Sequence, residues 1–276
     1  MALLSQSLLL RPRSLPFFPV KRLTPLVQPL VHTTHTKGHD LSICHASSEA
    51  SHSIPDLVEL PIYPLPVVLF PGAVLPLQLW EFRYRIMMHT LLQTDLKFGV
   101  LFSNPMLSGT EHYSHQVGCV AEVVKHQRLV DGRFSIICKG LERFCIACIQ
   151  RTKPYMVATV TRLEDRPPDP AQGDNLEKLA SEVEGYMKNV IRLANRLEGK
   201  NQDNQNDDIE FRSGQLPTPF SFFVASNFEG APSEQQELLE MDDTAARLER
   251  EIDMLKITIN YIIAVLAVKD VFSSSP

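Results

Sequence analysis

The stretch from Leu60 to Tyr84, LPIYPLPVVLFPGAVLPLQLWEFRY, sets two apolar runs on either side of Pro71-Gly72. Proline presets φ at the second position of a tight turn, and glycine supplies the positive φ that a type II turn needs at its third. The stretch therefore predicts strand, turn, strand, over Leu60 to Phe70 and Ala73 to Leu79. Its many prolines lack an N–H and are expected at strand starts and sheet edges. After Trp80 the pattern changes. From Glu81 to Gln93 the apolar positions Phe82, Ile86, Leu91 and Tyr84, Met87, Met88 recur three and four residues apart, which predicts a helix. Glu81 lies one turn before Arg85 and suits the positive end of the helix dipole.

Further strands are predicted at Phe98 to Phe102, Val117 to Leu129, Arg133 to Ile149 and Tyr155 to Leu163, with a polar loop following the first. Asp131-Gly132 lies between two β-prone runs and predicts a hairpin with a two-residue type I′ turn. Strands with one early helix and no βαβ alternation point to a small β-barrel or curled sheet. Arg166-Pro167-Pro168-Asp169-Pro170 breaks the pattern, and helices follow. Asn175 to Leu197 carries Leu176, Leu179, Val183, Met187, Val190, Ile191, Ala194 and Leu197 on one stripe. A polar, amide-rich segment over 198–216 predicts a flexible loop. Pro219 to Ser226 begins another helix, Ser233 with Gln236 has the spacing of a capping box, and Asp243 to Val271 predicts a long final helix. Its run Ile257 to Val268 has 12 residues with Asn260 inside, too short for a bilayer span and expected to be buried.

With 44% hydrophobic residues in 276, the chain can bury a sizeable core, as one domain with an appendage or as two small ones. The net charge of −5 is unevenly spread: Arg11, Arg13, Lys21, Arg22 and Lys37 precede residue 45 with only Asp40 opposing them. Residues 1–45 are rich in Leu, Ser, Thr, His and Pro, the composition of an organelle transit peptide. Five prolines from Pro12 to Pro29 break the amphipathic helix of a mitochondrial leader, so plastid is the expectation, with mitochondrion the alternative and a disordered cytosolic tail the non-targeting reading. The more acidic remainder repels phosphate backbones, so nucleic acid is not an expected partner. Five irregularly spaced cysteines do not make a disulfide scaffold and fit a reducing compartment.

Leu60-Pro61, Pro64-Leu65, Val67-Val68-Leu69-Phe70-Pro71-Gly72, Leu75-Pro76-Leu77 and Glu81-x-Arg83-Tyr84-Arg85 resemble, in order, the opening signature of the Lon protease amino-terminal (substrate-recognition) domain family. Gly118-Cys119-Val120-Ala121-Glu122, Asp131-Gly132-Arg133, Gly140-Leu141-Glu142-Arg143-Phe144 and Pro154-Tyr155 continue the likeness, which is strong over about 55–165 and weaker over the helical tail. The resemblance implies an α+β fold: a PUA-like β pseudo-barrel with one early helix over 55–165, then an α-helical bundle over 166–276. It implies structural roles for Phe70, Pro71, Gly72, Glu81, Tyr84, Gly140 and Phe144. One departure is Phe82, where many relatives carry proline in the helix's first turn; proline is tolerated there because its N–H would be unpaired, so phenylalanine should cost little.

No Gly-x-x-x-x-Gly-Lys-Ser/Thr loop for ATP phosphates is present, and no stretch after the helices can house a serine–lysine peptidase. Cys145 and Cys148 have metal-ligand spacing inside a predicted strand, and His112 and His115 lie in a loop; neither pair has further ligands nearby in sequence, and ordinary packing is the simpler reading. No catalytic residue, cofactor or metal site is expected. The resemblance implies a non-catalytic module that recognises unfolded or client polypeptides, with an organellar protease as possible partner and self-association open through the long last helix. A small-ligand sensor on a PUA-like barrel, or an adaptor unrelated to proteolysis, are the rival readings. Candidate contacts are Trp80, Phe82, Arg83 and Arg143. The simpler reading of Trp80 is a core anchor, and that of Arg143 a structural salt bridge to Glu81 or Glu122.

Overall fold

A computed structural model describes residues 57–103, 116–167, 173–197, 216–228 and 230–273. The leader, the pair His112 and His115, and the polar stretch 198–215 lie outside them. The described residues form β1 (Val58–Leu65), β2 (Val74–Leu79), α1 (Phe82–Leu91), β3 (Lys97–Phe102), β4 (Val117–Arg128), β5 (Phe134–Arg151), β6 (Met156–Leu163), α2 (Gly173–Leu197), α3 (Pro217–Ser226), α4 (Pro232–Glu240) and α5 (Thr244–Ser273).

The strands pair in the order β2-β5-β4-β3-β1-β6, and β6 pairs again with β5. The circuit β5-β4-β3-β1-β6-β5 therefore closes on itself, with β2 added outside it along the first half of β5. Only β1 and β3 run parallel. The α+β fold expected from the sequence is the one observed, but the first turn is used differently. Ala73 N–H donates to Phe70 O at 3.1 Å across a turn whose Gly72 has φ 81°. The strands flanking it do not pair with each other: β1 stops at Leu65 and joins β3 and β6, whereas β2 joins β5. β1 is also an interior strand despite Pro61 and Pro64. Residues 58–62 pair with β6 and residues 62–65 with β3, so each proline sits where one side of the strand has no partner and its missing N–H breaks no ladder.

The β4–β5 hairpin has three loop residues, not two. Leu129 N–H donates to Arg133 O at 2.8 Å and Gly132 N–H to Leu129 O at 3.0 Å, and only Gly132, φ 80°, has positive φ in the loop. That is a type I turn closed by a left-handed glycine, which tolerates Val130 and Asp131 where a type I′ turn would strain them.

On one face of the sheet, Leu79, Met87, Met88, Phe98, Val123, Phe134 and Ile136 form one core, so α1 packs on the sheet through its buried face. A second core gathers the helices. The buried stripe Ala180, Val183, Met187, Val190, Ala194 on α2 faces Leu248, Ile252, Leu255, Ile259, Ile262, Leu266 on α5, both spaced alternately three and four as in a coiled coil. Lys256 Nζ lies 5.3 Å from the Tyr186 ring centre and Lys269 donates to Leu197 O at 2.8 Å, so the two helices run in the same direction. The Ile257 to Val268 run is buried on that stripe only; Ile257, Ile263 and Val268 are exposed on the other face. No helix among the described residues is long and apolar enough to cross a membrane.

The expected capping box on α4 is absent. Pro232 takes the first helical position, Ala231 becomes the cap, and Gln236 instead donates to Val117 O at 3.0 Å, tying α4 to β4.

Phe70 belongs to the helical core, its ring 6.4 Å from that of Phe222, so the segment after β1 is clasped between sheet and helices. Gly140 makes this possible. A β-carbon there would stand 2.1 Å from Phe70 O, a backbone atom that cannot yield. Gly140 N–H donates to Ala73 O at 2.8 Å and its carbonyl accepts from Gly72 N–H at 2.9 Å. Phe144 is fully buried against Gly99 and Gly118, whose missing side chains leave room for its ring.

Candidate functional site

The last register pair of β2 and β5 is Leu79 with Phe134, and Phe134 pairs in turn with Arg128 of β4. One row of residues thus crosses three strands just below the hairpin tip. Strand alternation sends Leu79 inward and the next residue outward. Trp80 is accordingly 65% exposed, which corrects its reading as a core anchor. Phe82, in the first turn of α1, is 70% exposed, and Val130 at the hairpin tip is fully so.

The hairpin tip and α1 lie side by side. A β-carbon on Gly132 would sit 3.3 Å from Arg85 Nη1, Arg85 Cζ stands 5.5 Å from the Phe82 ring centre, and the His89 ring meets Phe134 edge-on at 5.2 Å. Exposed Phe82 and the hairpin tip that carries Val130 therefore meet across Arg85, and with Trp80, two residues before Phe82, they make up one rim. Arg83 donates through Nε to Glu81 at 2.7 Å and stacks on buried Tyr84 at 4.7 Å. Glu81, expected near Arg85, pairs with Arg83 instead. Arg133 donates to Asp131 at 2.6 Å, and backbone and side-chain hydrogen bonds from Arg133 hold the Asp131 carboxyl below its ordinary range. These are exposed pairs of small energetic weight. Arg85 differs: its Nε is buried without a hydrogen-bond partner.

A sequence model of the ATP-dependent protease La (LON) substrate-binding domain matches residues 59–257, through strands and helices alike. The chain belongs to this family. The Lon protease of Cytophaga hutchinsonii is 28% identical over 209 residues, which are 72% of this chain and 25% of that protein. Lon protease 2 of Sorangium cellulosum is 30% identical over 212 residues, 73% and 25% of the two chains. This chain thus spans about a quarter of the length of these relatives. Among solved structures, the N-terminal domain of a Mycobacterium avium complex Lon protease matches 72% of this chain and 98% of its own with a TM-score of 0.52 at 16% identity, a likeness of fold.

Within this LON substrate-binding domain, Arg143 is not at the rim. Its side chain is 2% exposed; it donates through Nη1 to Leu239 O at 2.7 Å and Met241 O at 2.6 Å, and through Nη2 to Asp165. Its partner is therefore neither Glu81 nor Glu122, and a client carboxylate has no access to it, because this part of β5 faces the helices. Asp165 also receives Arg247 Nη2 at 2.5 Å and Thr244 Oγ1. Both guanidinium groups stack on Phe222, at 5.1 and 4.1 Å. Arg247 Nε donates to Ser221 Oγ at 2.7 Å, and Ser221 donates to Glu251 Oε1 at 2.7 Å. Burial pushes the Glu251 carboxyl up to about 8, against the opposing pull of Ser221 and Arg247. This buried network joins β5 and the end of β6 to α3 and α5. Its ionic groups are occupied by one another, so its role is to lock the helices to the sheet.

Sequence reasoning missed this network because its members are scattered from 143 to 251. One signal was available: Arg247 and Glu251 interleave with the apolar stripe of α5. Burial pushes the Cys119 and Cys138 thiols up to about 12, leaving them unreactive, while Cys145 and Cys148 on β5 are unpaired. No group of three or more His, Cys, Asp or Glu that could hold a metal ion occurs among the described residues.

Proposed function

We propose that this chain is a non-catalytic polypeptide-recognition protein that binds unfolded clients at the rim of Trp80, Phe82 and Val130 and supports organellar proteolysis or quality control. The observation that carries this reading is the exposure of two aromatic side chains, Trp80 and Phe82, two residues apart at the junction of β2 and α1 in a chain of the LON substrate-binding domain family. Large aromatic residues left outside a core and bordered by polar groups mark interaction surfaces. Membership of that family supports a polypeptide as the ligand class.

Trp80 is the chain's single tryptophan, so its emission reports on the rim alone. Unfolded casein is expected to shift that emission in a saturable way, and the full chain is expected to leave the casein uncleaved with or without ATP. Because both side chains are exposed, Trp80→Ala and Phe82→Ala should change stability by no more than about 0.5 kcal/mol. Each should weaken casein capture by about tenfold, the loss common for an aromatic anchor. Normal capture by a folded Trp80→Ala, Phe82→Ala double variant would overturn the reading. The plastid assignment rests on the composition of residues 1–45 and is checked by imaging residues 1–50 fused to a fluorescent protein; diffuse cytosolic signal would count against it.

A further inference from the structure

We infer that the rim selects polypeptide segments in which a carboxylate lies next to a large apolar residue, and that Arg85 receives that carboxylate. The inference rests on the rim being the polypeptide-binding surface and names the chemistry of the segment it takes.

Four arginines border the apolar side chains: Arg83, Arg85, Arg128 and Arg133. Two are already matched, Arg83 by Glu81 and Arg133 by Asp131. Arg85 and Arg128 have no ion-pair partner among the described residues. The rim is thus a locally positive spot on a chain of net charge −5. Charge of this kind favours an acidic partner group over short range.

Arg85 is also held in place. Its guanidinium is wedged between the Phe82 ring and the Gly132 backbone, where its Cζ is 5.5 Å from the ring centre, and its Nε is buried with its donor unused. A guanidinium is a planar fork of donors that matches a carboxylate with two parallel hydrogen bonds, and one already fixed loses little freedom on doing so. The apolar companion is required by Phe82, whose ring the cation faces, and by exposed Trp80 and Val130, which lie two residues along the chain from Phe82 and Gly132 respectively. Glu81 and Asp131 on the same rim repel a polyanion, so a nucleic acid does not fit it.

The test uses the full chain, Trp80 emission, and twin peptides with one phenylalanine anchor flanked by aspartate in one and asparagine in the other. The aspartate peptide is expected to bind about tenfold tighter at low salt, the scale of one hydrogen-bonded charge, with the gap closing as salt rises. Arg85→Gln should abolish the gap between the twins, whatever it does to the affinity they share. Arg85→Lys should keep part of the gap, and Arg85→Glu should favour a lysine-flanked twin; circular dichroism melts check that each variant is folded. Equal binding of the twins, a gap that persists in Arg85→Gln, or displacement of the aspartate peptide by a short oligonucleotide would overturn the inference while the rim still binds peptide. Absence of any peptide binding would overturn the inference and the proposed function together.

Discussion

Replacing Asp165 by leucine is expected to remove about 3–5 kcal/mol of folding stability, because it strands two buried cations at once. The side chains of Arg143 and Arg247 are 2% and 0% exposed, and among the described residues Asp165 is the one carboxylate bonded to both. Their other partners, the carbonyls of Leu239 and Met241 and the hydroxyls of Ser221 and Thr244, satisfy donors without cancelling charge. Losing the anion leaves two like charges close together out of water. By contrast, replacing all three by apolar residues of similar size should cost far less, since the penalty belongs to the unpaired charge and not to the missing pair.

The pH dependence has the same origin. Burial raises the Asp165 carboxyl, but hydrogen bonds and charge from Arg247, with Thr244 and Arg143, outweigh that and hold it below its ordinary 3.8. A depressed carboxylate contributes its stability above the ordinary value and loses it as the pH falls through the depressed one. Urea unfolding followed by circular dichroism at pH 7 measures the leucine variant, and a loss under about 1 kcal/mol would show that the two arginines find another anion.

What the sequence made legible, and what it hid, follows the range of each interaction. The turn at Pro71-Gly72 was readable because four adjacent residues determine it, and α2 and α5 because three- and four-residue spacing repeats along each. Strand partners were not readable from the same turn: β2 pairs with residues some 60 positions on, a choice made by core packing. Asp131-Gly132 announced a hairpin correctly, but the glycine alone takes positive φ, so the loop gains Val130 and that valine becomes part of the rim. Trp80 was named as a candidate contact from its position at the strand-to-helix junction, yet its direction depended on which face of β2 met the core, and Leu79 decided that. Arg143 could not be placed because its partner Asp165 lies beyond the next strand, just before a segment whose prolines read only as a breaker.

Glu251 carries the last expectation. Its carboxyl is fully buried, Ser221 bonds one oxygen, and the other has no hydrogen-bond partner. Its ordinary value of 4.5 is raised to about 8 by burial. Between those two values the unfolded chain has released this proton and the folded chain keeps it. The stability this group contributes is therefore full below pH 4.5 and falls as the pH rises toward 8, by about 1.4 kcal/mol per pH unit. Above 8 the loss levels off. Glu251→Gln keeps the shape and never ionises, so it should match the parent chain near pH 4.5 and become progressively more stable than it, by on the order of 3–5 kcal/mol at pH 8. Asp165 titrates below this window and other ionisable groups are common to both chains, so the difference between their urea midpoints isolates Glu251. A difference that stays constant from pH 4.5 to 8 would mean that the carboxyl is already ionised in the folded chain, its charge balanced through Ser221 by Arg247.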